Sequence, residues 1–190
     1  MAHAPPIPQE ALTELAKQLA ERASPLTMRA LSDAKPVGIA ESFPVFALGL
    51  DAVSDPTRPM SEIAIQTGVW HHQLSHDGAS QEYARSVVQG PSPSDWKISE
   101  VINSASTERI SDAIGWIDQN LAGDPVARLL LIPAYYLTAF WLSGPNGDQV
   151  VIADKPDQYR SLQYHYAYTS SDFLERLAHE THAQGVPAHQ

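Results

Sequence analysis

Residues 126–142 read VARLLLIPAYYLTAFWL, the most apolar run in the chain. Three structures compete for it. A membrane span needs about 20 apolar residues. This run is shorter, carries Arg128 at one end and Pro133 inside, and meets Gly144-Pro145-Asn146-Gly147 at the other. A buried helix would lose a hydrogen bond at Pro133 and clash with the turn before it. What remains is one long strand, or two strands broken at Pro133, buried on both faces. The residues that follow favour it. Residues 143–148 are rich in Gly, Pro and Asn, and QVVIA at 149–153 is a β-branched run. Strand, loop and strand make a hairpin. Proline cannot donate to a ladder, so a bulge or a free edge is expected at Pro133.

Working outward to the N-terminal side, residues 1–6 are expected to form a flexible tail. Pro8 suits a first helical turn. Leu12, Leu15, Ala16, Leu19, Ala20 and Ala23 then follow helical spacing on one face, with Glu10, Glu14, Lys17, Glu21 and Arg22 outside. That stripe must bury on its own sheet or on a second copy of the chain. Ser24-Pro25 interrupts the helix, and residues 26–31 fit a short second one. FPVFALGLDAV at 43–53 reads as a strand, as do residues 62–76 and 81–89. Asp77-Gly78 between the last two signals a type I′ turn, which needs positive φ at both central positions. WKISEVI at 96–102 fits either a short strand or a helical turn. Ile110, Ala113, Ile114, Ile117 and Leu121 fall on one helical face, and Gly123-Asp124-Pro125 ends that helix.

On the C-terminal side, residues 154–163 are polar and loop-like. Tyr164, Tyr166 and Tyr168 alternate as in a short strand or an extended arm. Asp172 with Glu175 resembles a capping box, opening a helix through Phe173, Leu174, Leu177 and Ala178. Residues 184–190 are expected to form a second flexible tail. The expectation is a single α+β domain over residues 7–183. It has an antiparallel sheet of about five strands with helices packed mainly on one face, in the order α-β-β-β-α-β-β-α. This order resembles that of the dimeric class I chaperones of type III secretion, although this chain of 190 residues is longer. The resemblance lies in the element order, and it implies a dimer and a protein client.

Composition narrows the function classes. Asp and Glu number 22 against 12 Lys and Arg, a formal net charge of −10. An acidic surface repels phosphate backbones and anionic membranes, so no nucleic-acid or membrane partner is expected. Cysteine is absent, which removes disulfides, thiol nucleophiles and thiolate metal sites together. MAHAPPIPQEAL at the start has neither a basic segment nor an apolar stretch of the kind a secretory signal uses. The expected location is the cytoplasm, or export by a route needing no cleaved signal.

One constellation stands out. If Asp77-Gly78 are the two loop residues, His76 faces Ala79, Leu74 faces Gln81, His72 faces Tyr83 and Trp70 faces Arg85. Alternation then puts Trp70, His72, Leu74, Tyr83, Arg85 and Val87 on one face and leaves His71, Gln73 and Ser86 on a solvated one. That first face is either a core tryptophan with satisfied polar neighbours, or a shallow pocket. As a pocket it makes Trp70, His72, Tyr83 and Arg85 a candidate ligand-binding set for an anionic or aromatic ligand. Arg85 beside Trp70 suits a cation–π pair.

Metal and hydrolytic chemistry have less behind them. His72 and His76 share a face, but four strand residues separate them by about 13 Å. Glu175, His179 and His182 lie on one side of the last helix without the H-E-x-x-H spacing. No G-x-S-x-G elbow and no phosphate-cradling glycine loop occurs in the sequence. No catalytic residue, metal or cofactor is assigned. The expectation is a non-enzymatic, acidic binding or adaptor protein of bacterial type with a protein partner, chaperone-like or immunity-like, and possible as a homodimer. The alternative is a small-molecule binding domain or an enzyme using the Trp70/His72/Tyr83/Arg85 face.

Overall fold

A computed structural model describes residues 2–22, 38–76, 79–145 and 147–183. The expected turn at Asp77-Gly78 and the short helix at 26–31 lie outside the described residues, as does the tail at 184–190. The class is α+β, with four helices among the described residues. These are α1 (Gln9–Arg22), the one-turn α2 (Met60–Ile63), α3 (Ala105–Asn120) and α4 (Ser170–Ala183). The strands are β1 (Gly38–Leu48), β2 (Ala64–His76), β3 (Ala79–Val88), β4 (Trp96–Asn103), β5 (Val126–Ile132), β6 (Leu137–Gly144), β7 (Gly147–Asp154) and β8 (Ala167–Thr169).

The expected antiparallel sheet of about five strands is corrected on two counts. Among the described residues the sheet has eight strands, in the order β4-β3-β2-β1-β5-β6-β7-β8. It is also mixed, because β1 pairs with β5 in parallel, Val45 opposite Leu129 and Ala47 opposite Leu131. The strand count rose for local reasons. WKISEVI is strand β4 rather than a helical turn. The apolar run is two strands, because Pro133 opens a single turn of 3-10 helix, Pro133–Tyr135, that folds β5 back on β6 antiparallel. The bulge or free edge expected at Pro133 is thus a reversal. Alternate tyrosines end in the short edge strand β8, paired with β7. The start of the chain is tied in, since the His3 amide and carbonyl bond to Pro125 and Ala127.

The chain forms two compact units. One comprises Met1–Ala4, Val45–Thr67 and Asp112–Gln190; the other comprises Pro5–Pro44 and Gly68–Ser111. In the first, Leu130, Ile132, Leu137, Ala139, Val150 and Ile152 of the sheet bury with Phe173, Leu174 and Leu177 of α4. The i, i+1, i+4 spacing of those helix residues gives one apolar stripe. In the second, Ala11, Leu15 and Leu19 of α1 bury with Leu74, Ala84, Trp96 and Ile98. Of the expected α1 stripe, Leu15 and Leu19 bury on this sheet together with Ala11, whereas Ala16 and Ala20 are exposed and Ala23 lies outside the described residues. Gln18 fixes this contact. Its amide nitrogen donates to the Trp96 carbonyl and its oxygen accepts the Ile98 amide, each at 2.9 Å. A side chain thereby occupies backbone groups of edge strand β4, which an unprotected edge would offer to another chain.

Two substitutions test this packing. Leu129 is fully buried, and Leu129→Ala should cost about 2–5 kcal/mol in denaturant unfolding. Tyr136, after the Pro133 turn, has φ 50° and is 85% exposed. Its side chain packs little, and left-handed backbone disfavours an L residue by about 1–2 kcal/mol. Tyr136→Gly should unfold at the same denaturant concentration as the parent or a higher one.

Candidate functional site

The candidate set Trp70, His72, Tyr83 and Arg85 does not share a face. Near the turn the register is the expected one, with His76 opposite Ala79 and Ser75 opposite Ser80. Between Leu74 and Ser75 it shifts, and Leu74 pairs with Glu82, His72 with Ala84 and Trp70 with Ser86. Gln81 is the extra residue, a β-bulge. A slip of one residue moves every later side chain to the opposite face. Trp70 and His72 therefore lie with Ala84, Ser86 and Leu74. Tyr83 and Arg85 lie on the other face with His71 and Gln73, residues expected to be solvated.

On the first face, Trp70 packs against the α1 cluster, its ring 5.4 Å from that of Trp96. His72 is fully buried between two hydroxyls. Its Nδ1 is 2.8 Å from Ser42 Oγ and its Nε2 is 2.8 Å from Ser86 Oγ. Desolvation by burial pulls its pKa down to about 4. On the second face, the His71 ring lies 4.6 Å from that of Tyr83, and the Arg85 guanidinium 5.5 Å from the Tyr83 ring centre. The cation–π partner of Arg85 is thus Tyr83, not Trp70. Arg85 also forms an ion pair with Glu100 at 2.9 Å. His71 is fully buried, and neither ring nitrogen finds a hydrogen-bond partner among the described residues. Desolvation first, then the charge of Arg85 and the neighbouring His72, hold its pKa down at about 3.

The first compact unit carries a group of neighbouring aromatic side chains, several of them exposed. Asp112 and Trp116, one turn apart on α3, share a helix face. His165 reaches both: its Nε2 is 2.7 Å from Asp112 Oδ2, and its ring stacks on Trp116 at 6.1 Å and 15°. His165 has φ 56°, the left-handed region that non-glycine residues seldom adopt. It is held there by a pair that is 46% and 68% exposed. Tyr164 and Tyr166 on either side are exposed, and Lys155 Nζ lies 5.2 Å from the Tyr164 ring centre. The segment is pinned from beneath by buried Tyr168, whose hydroxyl accepts the Gln163 amide at 2.6 Å. Arg176 lies 5.3 Å from the Tyr168 ring centre and pairs with Asp172 at 2.8 Å. The alternation of three tyrosines was legible in the sequence. The partners of His165 were not, because Asp112 is 53 residues away.

Among the described residues, no group of three or more His, Asp or Glu side chains comes together to hold a metal ion, and no helix is long and apolar enough to cross a membrane. Comparison with protein-family models, curated proteins and solved structures finds no match.

The buried histidines generate a pH prediction. Both are neutral in the fold and titrate near 6.5 when unfolded. Below that pH the unfolded chain binds more protons, so stability falls as pH falls. The loss should begin near pH 6.5 and deepen through pH 4, reaching on the order of 2 kcal/mol per histidine at pH 4.5. His71→Leu should be nearly neutral at pH 7, because it removes a buried group without partners. It should also flatten the pH dependence of the urea midpoint by roughly half, one of two titrating rings being gone. An unchanged pH slope would show that the His71 ring is not held neutral.

Proposed function

We propose that this chain is a non-enzymatic, acidic adaptor that docks a protein partner with a basic surface, in the manner of a chaperone or an immunity-type neutraliser. The observation that carries this reading is the strip of exposed Tyr164, His165 and Tyr166 beside half-buried Trp116. Trp and Tyr dominate binding hot spots because they bring large apolar area with a polar tip and lose little side-chain freedom. The strip is pre-shaped: Asp112 and Trp116 hold His165 in its left-handed conformation, so the aromatics need no ordering on contact. Strained backbone of this kind concentrates at functional positions.

Charge sets the class of partner. A chain of net charge −10 steers basic surfaces toward it and repels acidic ones. The strip offers Asp112 as an acceptor and Lys155 as its nearby cation. The reading involves no chemistry on the partner, since the histidine of the Asp112–His165 pair stacks on Trp116 rather than facing a nucleophile.

Affinity capture from cells that express the protein tests this. Tyr166→Ala and a Trp116→Ala, Tyr166→Ala double variant should lose the captured partner by about tenfold or more, with unchanged unfolding of the purified proteins for Tyr166→Ala. Capture should weaken as salt rises. A partner held equally by parent and double variant, or one with an acidic contact surface, would overturn the proposal.

A further inference from the structure

The unit formed by Pro5–Pro44 and Gly68–Ser111 contains a cavity of about 530 Å³ between α1 and the first half of β1. That volume falls within the roughly 300–1,000 Å³ of small-molecule sites. It lies in a different unit from the aromatic strip, and nothing in the adaptor reading uses it. Sequence accounts for the space. Gly38, Ala40 and Ser42 on the β1 wall are all small, while Ile39 between them packs against the α1 cluster. α1 turns Ala11, Leu15 and Leu19 toward Trp96 and Ile98, which leaves Leu12 and Ala16 on the cavity wall.

The wall is mostly apolar. Among the described residues its lining contains no Lys, Arg or His side chain and one carboxylate, Glu41. An anion seated there would find no counter-charge among them, and desolvating an unpaired charge is costly. The built polar feature is Ser42. Its hydroxyl sits at 2.8 Å from Nδ1 of the fully buried His72, whose Nε2 is 2.8 Å from the fully buried Ser86 hydroxyl. This chain fixes the Ser42 hydroxyl in one direction, yet leaves its polarity open. With the proton on Nδ1, the ring donates to Ser42, whose O–H then donates onward. With the proton on Nε2, the ring accepts from Ser42, whose remaining lone pair then accepts.

The same chain argues for positioning and against nucleophilic catalysis. Both ring nitrogens of His72 are bonded to serine hydroxyls, with no carboxylate to stabilise an imidazolium. We propose that this cavity binds a small, uncharged, largely apolar molecule, anchored by one hydroxyl or carbonyl group on Ser42.

The test uses three probes with one alkyl chain and different ends: 1-octanol, octanoate and octylammonium. Binding is followed by NMR of the Leu12 and Ile39 methyl groups, with a methyl of the other unit, Leu174, as the control. Octanol should shift the Leu12 and Ile39 signals and leave Leu174 in place, and both ions should bind at least about tenfold more weakly, given the cost of burying their charge. Ser42→Ala should weaken octanol by about fivefold, the worth of one hydrogen bond. Ala16→Trp should fill the cavity from the helix and remove the shifts. Ala40→Leu fills it from the strand and serves if Ala16→Trp does not fold. Any one of three results would overturn the proposal: no shift with octanol up to its solubility limit, octanoate or octylammonium binding as tightly as octanol, or octanol binding undiminished in the folded filled variant.

Discussion

The parallel pairing of β1 with β5 is the constraint on which the rest of the sheet depends. Val45, Phe46 and Ala47 pair with Leu129, Leu130 and Leu131, residues brought together from more than eighty positions apart in the chain. Closing so long a loop costs entropy that no local contact repays. The return comes from burial: Leu129 and Leu130 are inaccessible to solvent. β6 and β7 then add beside β5 by short connections. A parallel pair needs a long crossover, and here the crossover contains β2, β3, β4 and α3. The order of strands follows from that single non-local choice.

The hairpin of β2 and β3 shows how one residue can redistribute chemistry. The Gln81 bulge decides which polar groups go under α1 and which go to the opposite face. It brings His72 to two serine partners and leaves His71 with a tyrosine ring and an ion-paired arginine. The two adjacent histidines meet different conditions. One is satisfied and positions a hydroxyl; the other is a buried ring without a hydrogen-bond partner among the described residues, a stability cost that sharpens in acid.

Surface and interior suggest different kinds of recognition. The strip of exposed residues 164–166 and half-buried Trp116 is aromatic, and is held by contacts among its own members, which suits a broad partner surface. The α1–β1 cavity is small, apolar and anchored on one hydroxyl, which suits a compact ligand. Each unit thus carries its own candidate, and each rests on side chains that the other does not use.

Much of the local structure was legible in the sequence because periodicity is local. The helix at α1, the α3 and α4 stripes, the strand character of the run at 126–142 and the strand after residue 148 follow from spacing and turn residues alone. Net charge and the absence of cysteine likewise follow from composition. The break at Pro133 was legible too, but not its consequence, since whether a proline bulges, ends or reverses a strand depends on what lies beside it. The eight-strand count, the parallel β1–β5 pair and the faces of Trp70, His72, Tyr83 and Arg85 were decided by tertiary structure. The physical reason is that strand side chains alternate with period two. A single bulge inverts every assignment beyond it, and a bulge is specified by pairing between strands rather than by the residues of either one.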